Sequence, residues 1–292
     1  MKKKDIVATF SIVGFDPATG EVGVAVQSKF IAVGSVVPWA KAGVGAIATQ
    51  AFANPAYGPK GLELLEAGNT PEEIVEILTG EDPDKHERQI GIVDIKGNAA
   101  SFTGNNCYDW AGGITGENFA AQGNILVNKE TVTSLGQAFK NSKGPLADKL
   151  LSALTAAQEA GGDSRGKQSA AIYIEKAKGG YGGLSDRYLD LRVDDHPDPI
   201  EELKRLYRLQ QLYFGETKEE NVLPITGQVK NEVIEGLIKF DYLSSEKPSE
   251  EELLNQFTKF LHTENFEERE LDKGFIDKEV LDFMKTNEII VK

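Results

Sequence analysis

The chain has 292 residues, of which 40% are hydrophobic and 27% charged, so it is globular in composition and long enough for one large domain or a large and a small one. Its net charge of −14 excludes the basic footprint that nucleic acid or an anionic membrane surface requires. The single cysteine, Cys107, excludes an internal disulfide and suits a reducing compartment.

The chain starts Met1-Lys2-Lys3-Lys4, and an apolar run over 6–15 follows, a faint mimic of a secretion signal. Asp5 interrupts the join, and Asp16-Pro17 ends the run with no small-x-small cleavage site. No apolar run approaches the ~20 residues of a membrane helix. The expectation is a cytoplasmic protein that does not enter a membrane.

Residues 7–50 form a long stretch rich in strand formers. Residues 6–15 and 22–28 read as a hairpin around Asp16-Pro17-Ala18-Thr19-Gly20. With that turn, Phe15 opposes Val22, Val13 opposes Val24 and Thr9 opposes Ser28. This register places Val22, Val24, Val26 and Thr9 on one face, and a slip of one residue would scatter them. Residues 33–39 and 43–49 are expected to be two more strands. A helix over 55–67 stops at Gly68, and Thr70-Pro71-Glu72-Glu73 opens the next with a capping box. A second hairpin covers 89–94 and 99–103, and a loop and strand dense in Gly, Asn and aromatics covers 107–128. Helices are expected at 129–140 and 145–160, strands at 170–175 and 188–193, and a helix at 199–214. Hairpins outnumber crossovers, so the sheets should be mostly antiparallel with helices outside.

Composition changes after Gly215. Of 30 glycines, 27 lie at or before it, and the remaining residues carry 19 acidic against 10 basic side chains, −9 of the −14. The expected organisation is a body over 1–215 and a small helical domain over 216–292. Amphipathic helices should cover 227–242, 250–262 and 277–286.

Several segments could carry chemistry. Thr9 is a strand residue by default, and a nucleophile only if its own α-amine is freed to serve as base beside Oγ. The run from Gly161 to Lys167 is close to a phosphate-binding loop, but Gln168 stands where a Ser or Thr should hold magnesium, and a helix precedes where a strand is needed. Asp163 and Arg165 can instead pair at a strand entrance and orient a neighbouring hydroxyl. Asn105, Asn106, Asn118, Gln122 and Asn124 are amides that suit binding a carbonyl or stabilising an oxyanion, and equally suit turns. Cys107 lacks an obvious base and reads as a small buried residue. Asp194-Asp195-His196 lacks a second ligand at metal spacing, and Pro197 follows at once, so no metal and no cofactor is expected.

Longer runs carry a family resemblance. TFSIVGFDPATGEVGVAVQSKF, VGSVVPWAKAGVGAIATQAFANPAYGPKGLELLEAG, NNCYDWAGGITGENFAAQGNIL, GGDSRGKQSAAIYI and LRVDDHPDPIEELKRLYRLQQLYFG resemble the DUF1028 family, assigned to the N-terminal nucleophile (Ntn) hydrolase superfamily. LPITGQVKNEVIEGLIKFDY, ENFEERE and IDKEVLDFM resemble the peptidoglycan-binding-like module often joined to it. The resemblance implies an α+β fold, a four-layer αββα sandwich, with Thr9 as nucleophile at the opening of the first strand. It implies Ser28 beside the nucleophile, Asp163 and Ser169 steadying the amine, and Lys41 as a weaker candidate for a nearby cation. Many relatives begin with Met followed directly by the threonine, whereas residues 2–8 intervene here, so the amine would need cleavage after Ala8. The implied activity is hydrolysis of a small amide or peptide-like substrate by a homo-oligomer, with no cofactor. The alternative is a non-catalytic binding protein whose tail holds a partner or a cell-wall fragment, although the acidic tail gives such a polymer no electrostatic help. Packing on the body, or a dimer, is the more economical role for that tail.

Overall fold

The computed structural model describes residues 9–286. Residues 1–8, whose removal the threonine reading requires, lie outside them. The chain forms two compact units, 1–204 and 205–292.

The first unit begins with β1 (Thr9–Asp16) and β2 (Glu21–Ser28), which pair antiparallel with Thr9 opposite Ser28, Val13 opposite Val24 and Phe15 opposite Val22. This is the register that the turn and the two-residue period predict. The run at 33–39 is not one strand. It is a single helical turn, Val33–Ser35, followed by the short β3 (Pro38–Lys41). Two local features break it: Ala32 takes a left-handed conformation at φ 52°, and the Val33 N–H is claimed by Ser169 Oγ at 3.1 Å rather than by a ladder. β4 (Gly45–Ala51), α1 (Tyr57–Glu66) and α2 (Pro71–Gly80) follow. The α2 capping box is formed as expected: Glu73 N–H donates to Thr70 Oγ1 at 3.3 Å, and Thr70 N–H donates to Glu73 Oε2 at 2.8 Å. Such a cap stabilises a helix by about 1 kcal/mol.

β5 (Arg88–Asp94) and β6 (Ala99–Thr103) form the second hairpin, and β7 (Gly112–Gly116) and β8 (Phe119–Asn124) a third, where the sequence suggested a loop and one strand. Helices α3 (Glu130–Asn141) and α4 (Leu146–Glu159) lead to β9 (Ser169–Glu175), β10 (Arg187–Val193) and α5 (Pro199–Phe214).

The strands form a six-stranded sheet in the order β10-β9-β2-β1-β8-β7 and a four-stranded sheet in the order β3-β4-β5-β6, antiparallel throughout. Period-two alternation sorts the side chains. Val13, Val22, Val24 and Val26 meet Ala46, Ala48 and Val93 between the sheets. On the other side of the six-stranded sheet, Gly14 leaves space filled by Phe139 and Leu146 of α3 and α4. Ile47, Ile90 and Ile92 pack outward with Leu65, Ile74 and Leu78 of α1 and α2. Four layers result, helix pair, sheet, sheet, helix pair, so the fold is the α+β sandwich that the resemblance implied. β1 lies inside the larger sheet, and its odd-numbered residues point at the smaller one.

The division between units falls inside α5. The second unit contains α6 (Gly227–Lys239), α7 (Glu250–Thr263) and α8 (Lys278–Thr286), and also a short ribbon of β11 (Val222–Pro224) paired with β12 (Phe275–Asp277) that the helical reading lacks. Its core is aromatic: Phe260 stacks on Phe266 at 5.8 Å between centroids, and Phe240 meets Phe260 edge-on at 5.3 Å. Arg269 is buried beneath. It donates to Asp277 Oδ2 at 2.7 Å, Glu279 Oε2 at 3.0 Å and the carbonyls of Leu212 and Gln211 at 2.9 and 2.6 Å.

Candidate functional site

Directly paired strand residues share a face. Thr9 pairs with Ser28 on one side and with Asn124 on the other, and Ser28 pairs in turn with Ser169. Asn124, Thr9, Ser28 and Ser169 therefore form one row across four strands, on the face turned to the smaller sheet, and all four are buried. Thr9 Oγ1 donates to Ser28 Oγ at 3.1 Å. Ser169 Oγ donates to the Phe30 carbonyl and accepts from Val33, which turns the chain sharply after β2.

Asp163 sits just beyond this row, between the ends of β2 and β8 that flank Thr9. Its carboxylate accepts the Lys29 N–H at 3.0 Å, next to Ser28, and its backbone bridges to Leu126, two residues past Asn124. Arg165 clamps it through the backbone N–H at 2.9 Å, Nε at 3.1 Å and Nη2 at 2.9 Å. Asp163 and Arg165 thus pair as the sequence suggested, and Arg165 acts on Asp163 rather than facing a ligand cavity.

Under the row lies a polar layer that sequence reasoning missed. Ser11 Oγ donates to Gln50 Oε1 at 2.6 Å, Gln50 Nε2 donates to Gln89 Oε1 at 2.8 Å, and Asn124 Nδ2 donates to the same Gln89 oxygen at 2.9 Å. Gln89 Nε2 reaches Thr103 Oγ1 at 2.8 Å and the Gly123 carbonyl at 2.7 Å. Buried amides cost free energy unless bonded, so this chain of partners fixes how the two sheets stack at this end. A signal was present: Gln50 follows Ala46 and Ala48, and Gln89 precedes Gly91 and Val93, on the two-residue period of the inward face.

A small cavity of about 30 Å³ opens beside Asn124, lined by Ala51, Phe52, Glu87, Asn106, Cys107 and Tyr108. One wall residue and one neighbour of the wall take rare backbone conformations. Ala51 has φ 65°, and Ile125, a β-branched residue directly after Asn124, has φ 52°. Such residues each cost about 1–3 kcal/mol and persist only where neighbours hold them. Ile125 N–H donates to the Tyr108 carbonyl at 2.9 Å, and Leu126 and Trp110 exchange backbone bonds at 3.0 and 3.3 Å. Burial, helped by the charge of Glu87, pushes the Cys107 thiol up to about 11 against the pull of the Gly104 backbone, so it stays protonated and is a poor nucleophile.

Other candidates stand elsewhere. Asn118 is at the far end of β1, beside the Gly14–Phe119 pair, where it occupies a left-handed turn position at φ 68° and exchanges backbone bonds with Phe15 and Gly97. It is a turn residue and not part of the row. Asn118→Gly should change thermal stability by less than about 0.5 kcal/mol, because glycine takes that φ freely, and should leave ligand binding at the cavity unchanged in titration. Lys41 is at the same far end, in an exposed pair with Glu66 at 2.7 Å, which corrects its reading as a cation near Thr9. Gln122 faces inward but reaches Ser11 Oγ at 2.7 Å and does not line the cavity. Asn105 is exposed on the turn before Asn106. His196 Nδ1 accepts the Asp198 N–H at 3.0 Å, and Asp195 accepts from Gln168 at 3.1 Å, so both serve a turn. Among the described residues, no group of three or more His, Cys, Asp or Glu is arranged to hold a metal.

A buried ion pair braces one wall. Arg88 Nε donates to Asp82 at 2.8 Å and Arg88 Nη1 to the Phe52 carbonyl at 2.6 Å, with its guanidinium 4.9 Å from the Phe52 ring centre. Burial alone would raise the Asp82 carboxyl, but hydrogen bonds from Arg88, Tyr57, the Asp84 N–H and Asn54 outweigh it and hold it well below the usual carboxylate range. A folded-state pKa below the unfolded one stabilises the fold above about pH 3.9 and loses that contribution as pH falls toward the folded value. Asp82→Asn should therefore lower the urea midpoint at pH 6, and the gap from wild type should narrow steadily below about pH 4.

With this geometry in view, comparison with known proteins gives three results. The model described as "Family of unknown function (DUF1028)" matches residues 9–203. The model described as "Putative peptidoglycan binding domain" matches residues 213–284. The crystal structure of protein SPO2555 from Silicibacter pomeroyi, a DUF1028 protein, superposes with a TM-score of 0.64 at 31% identity, covering 77% of this chain and 89% of that one. No match is found among curated proteins.

Proposed function

The chain belongs to the DUF1028 family of unknown function, and from that premise we propose that its body is an Ntn-type amidohydrolase acting on a small amide or peptide-like bond, with Thr9 as nucleophile once residues 1–8 are removed. The observation that carries this reading is the Thr9 Oγ1–Ser28 Oγ hydrogen bond at 3.1 Å, in a row that begins at Asn124 beside the cavity and ends at Ser169.

The chemistry follows from those positions. Thr9 Oγ would bond to the substrate's carbonyl carbon while its proton passes to the freed α-amine. Ser28 orients the hydroxyl. The Asn- and Gly-rich loop that carries Asn106 would supply a donor to the developing oxyanion. The tetrahedral species then expels the leaving amine, which takes the proton back, and water hydrolyses the remaining ester. Asp163, Arg165 and Ser169 shape the strand ends around the amine. Asn118 and Gln122 have no part in this scheme.

The test is the mass of the purified protein. Loss of residues 1–8 is expected in an active sample, and an intact N-terminus in an active sample rejects the free-amine mechanism. One observation favours a second reading: Thr9 is fully buried and, within an uncut chain, its nitrogen is a peptide amide with no basicity. If the Ala8–Thr9 bond is never cut, the protein is a binding protein built on the same sandwich. Its second unit would then hold a partner or a cell-wall fragment, in keeping with the domain it matches. A homodimer in the cytoplasm belongs to the first reading, with light scattering as its check. Among the described residues, no helix is long and apolar enough to cross a membrane.

A further inference from the structure

The cavity beside Asn124 has a chemical bias of its own. Asn124 is wholly buried, and its Nδ2 is committed to Gln89 Oε1. The Gln89 orientation is in turn fixed, because its Nε2 donates to the Gly123 carbonyl and Thr103 Oγ1. Asn124 must therefore present Oδ1 away from Gln89, and that oxygen is buried with no hydrogen-bond partner among the described residues. A buried acceptor without a donor costs about 1–3 kcal/mol and needs a reason. Asn124 lines the cavity, and a donor placed there would satisfy it.

The other walls select the donor. Glu87, Phe52 and Tyr108 are all on the lining. The Cys107 thiol stays protonated and adds no charge of either sign. Arg88 lies against the Phe52 ring, but the Asp82 carboxylate neutralises it at 2.8 Å. A carboxylate, a carbonyl oxygen seeking a donor and two aromatic rings are the environment of an ammonium group. A volume of about 30 Å³ suits a small head and excludes a ring. The net charge of −14 draws cations toward the protein at large.

We propose that this cavity binds the ammonium group of the substrate, so that the molecule presented to Thr9 is an amino-bearing amide rather than a neutral or acidic one. The inference rests on the Thr9 reading for its catalytic meaning, although the binding itself does not. Glu87 and Asn124 Oδ1 would accept from the ammonium, with Tyr108 closing over it.

The experiment uses the full chain carrying Thr9→Ala, which cannot turn over, with ethylammonium, ethanol and acetate as probes in saturation-transfer NMR. Ethylammonium should bind, ethanol at least tenfold more weakly, and acetate not at all. Glu87→Gln should weaken ethylammonium at least tenfold, and Tyr108→Leu, at an exposed position, about threefold. Raising salt should weaken binding further. Failure of ethylammonium to bind, equal binding of ethanol or acetate, or indifference to both substitutions overturns the proposal. An uncut N-terminus in active wild-type protein, with ethylammonium bound by the Thr9→Ala chain, would reject only the Thr9 mechanism. A wild-type chain cut at Thr9, with no ethylammonium bound by the Thr9→Ala chain, would reject only the ammonium pocket.

Discussion

Thr9→Ala should leave residues 1–8 attached and abolish hydrolysis, by at least about 10³-fold, the scale on which removing a nucleophile acts. The chain's own Ala8–Thr9 bond is the amide on which this can be read without any other substrate. In the proposed cleavage, Thr9 Oγ attacks the Ala8 carbonyl, the peptide C–N bond breaks, the α-amine is freed and the resulting ester is hydrolysed. Thr9→Ser retains the hydroxyl and should still be cut, within about tenfold of the wild-type rate. Thr9→Val retains shape and burial but loses Oγ, and should remain uncut while still folded, which separates chemistry from packing. Intact mass over time checks all three. Cleavage of Thr9→Val at the wild-type rate would remove Thr9 from the mechanism.

Arg269→Ala should destabilise the second unit by about 3–5 kcal/mol, the cost of leaving one member of a buried ion pair alone. The side chains of Arg269 and Asp277 are 3% and 0% exposed. Removing Arg269 strands the Asp277 carboxylate and the carbonyls of Gln211 and Leu212, which have little water to turn to. A unit of this size has a total stability of only about 5–15 kcal/mol, so a large share is lost. Glu279→Gln should cost much less, because that side chain is 45% exposed and its pair with Arg269 is screened. Replacing Arg269 and Asp277 together with Met and Leu should recover most of the loss. Hydrogen exchange on the full chain reads this unit separately. A cost below about 1 kcal/mol for Arg269→Ala would reject the account.

The sequence made some elements legible and hid others for physical reasons. The β1–β2 register followed from a short turn and three alternating valines, because local geometry settles a hairpin. The α2 start was visible because capping chemistry lies within four residues. The strand expected over 33–39 failed at Ala32 and Val33, whose conformation depends on Ser169, 136 residues away. β11 and β12 are three residues each, too short for a period to show. At the candidate site, Thr9, Ser28 and Ser169 could be named from a resemblance, and Ser28 from the register as well. Gln50 and Gln89 could not be named as partners, because alternation shows only that they point inward. Asn118 was wrongly grouped with the site residues, since composition gives a loop's character and not the end of the strand on which it lies, and Lys41, named only from the resemblance, stands at the far end of the sheets from Thr9.

The row across four strands also has a history in time. Thr9 meets Ser28 through a local hairpin, the kind of contact that forms in microseconds. It meets Asn124, and Ser28 meets Ser169, only after more than a hundred residues have been threaded between them. Contacts of such sequence separation are the slow ones in folding. A cleavage that needs all four residues in register would therefore not begin on a nascent or half-folded chain, and the appearance of a new N-terminus at Thr9 would time-stamp completion of the sandwich.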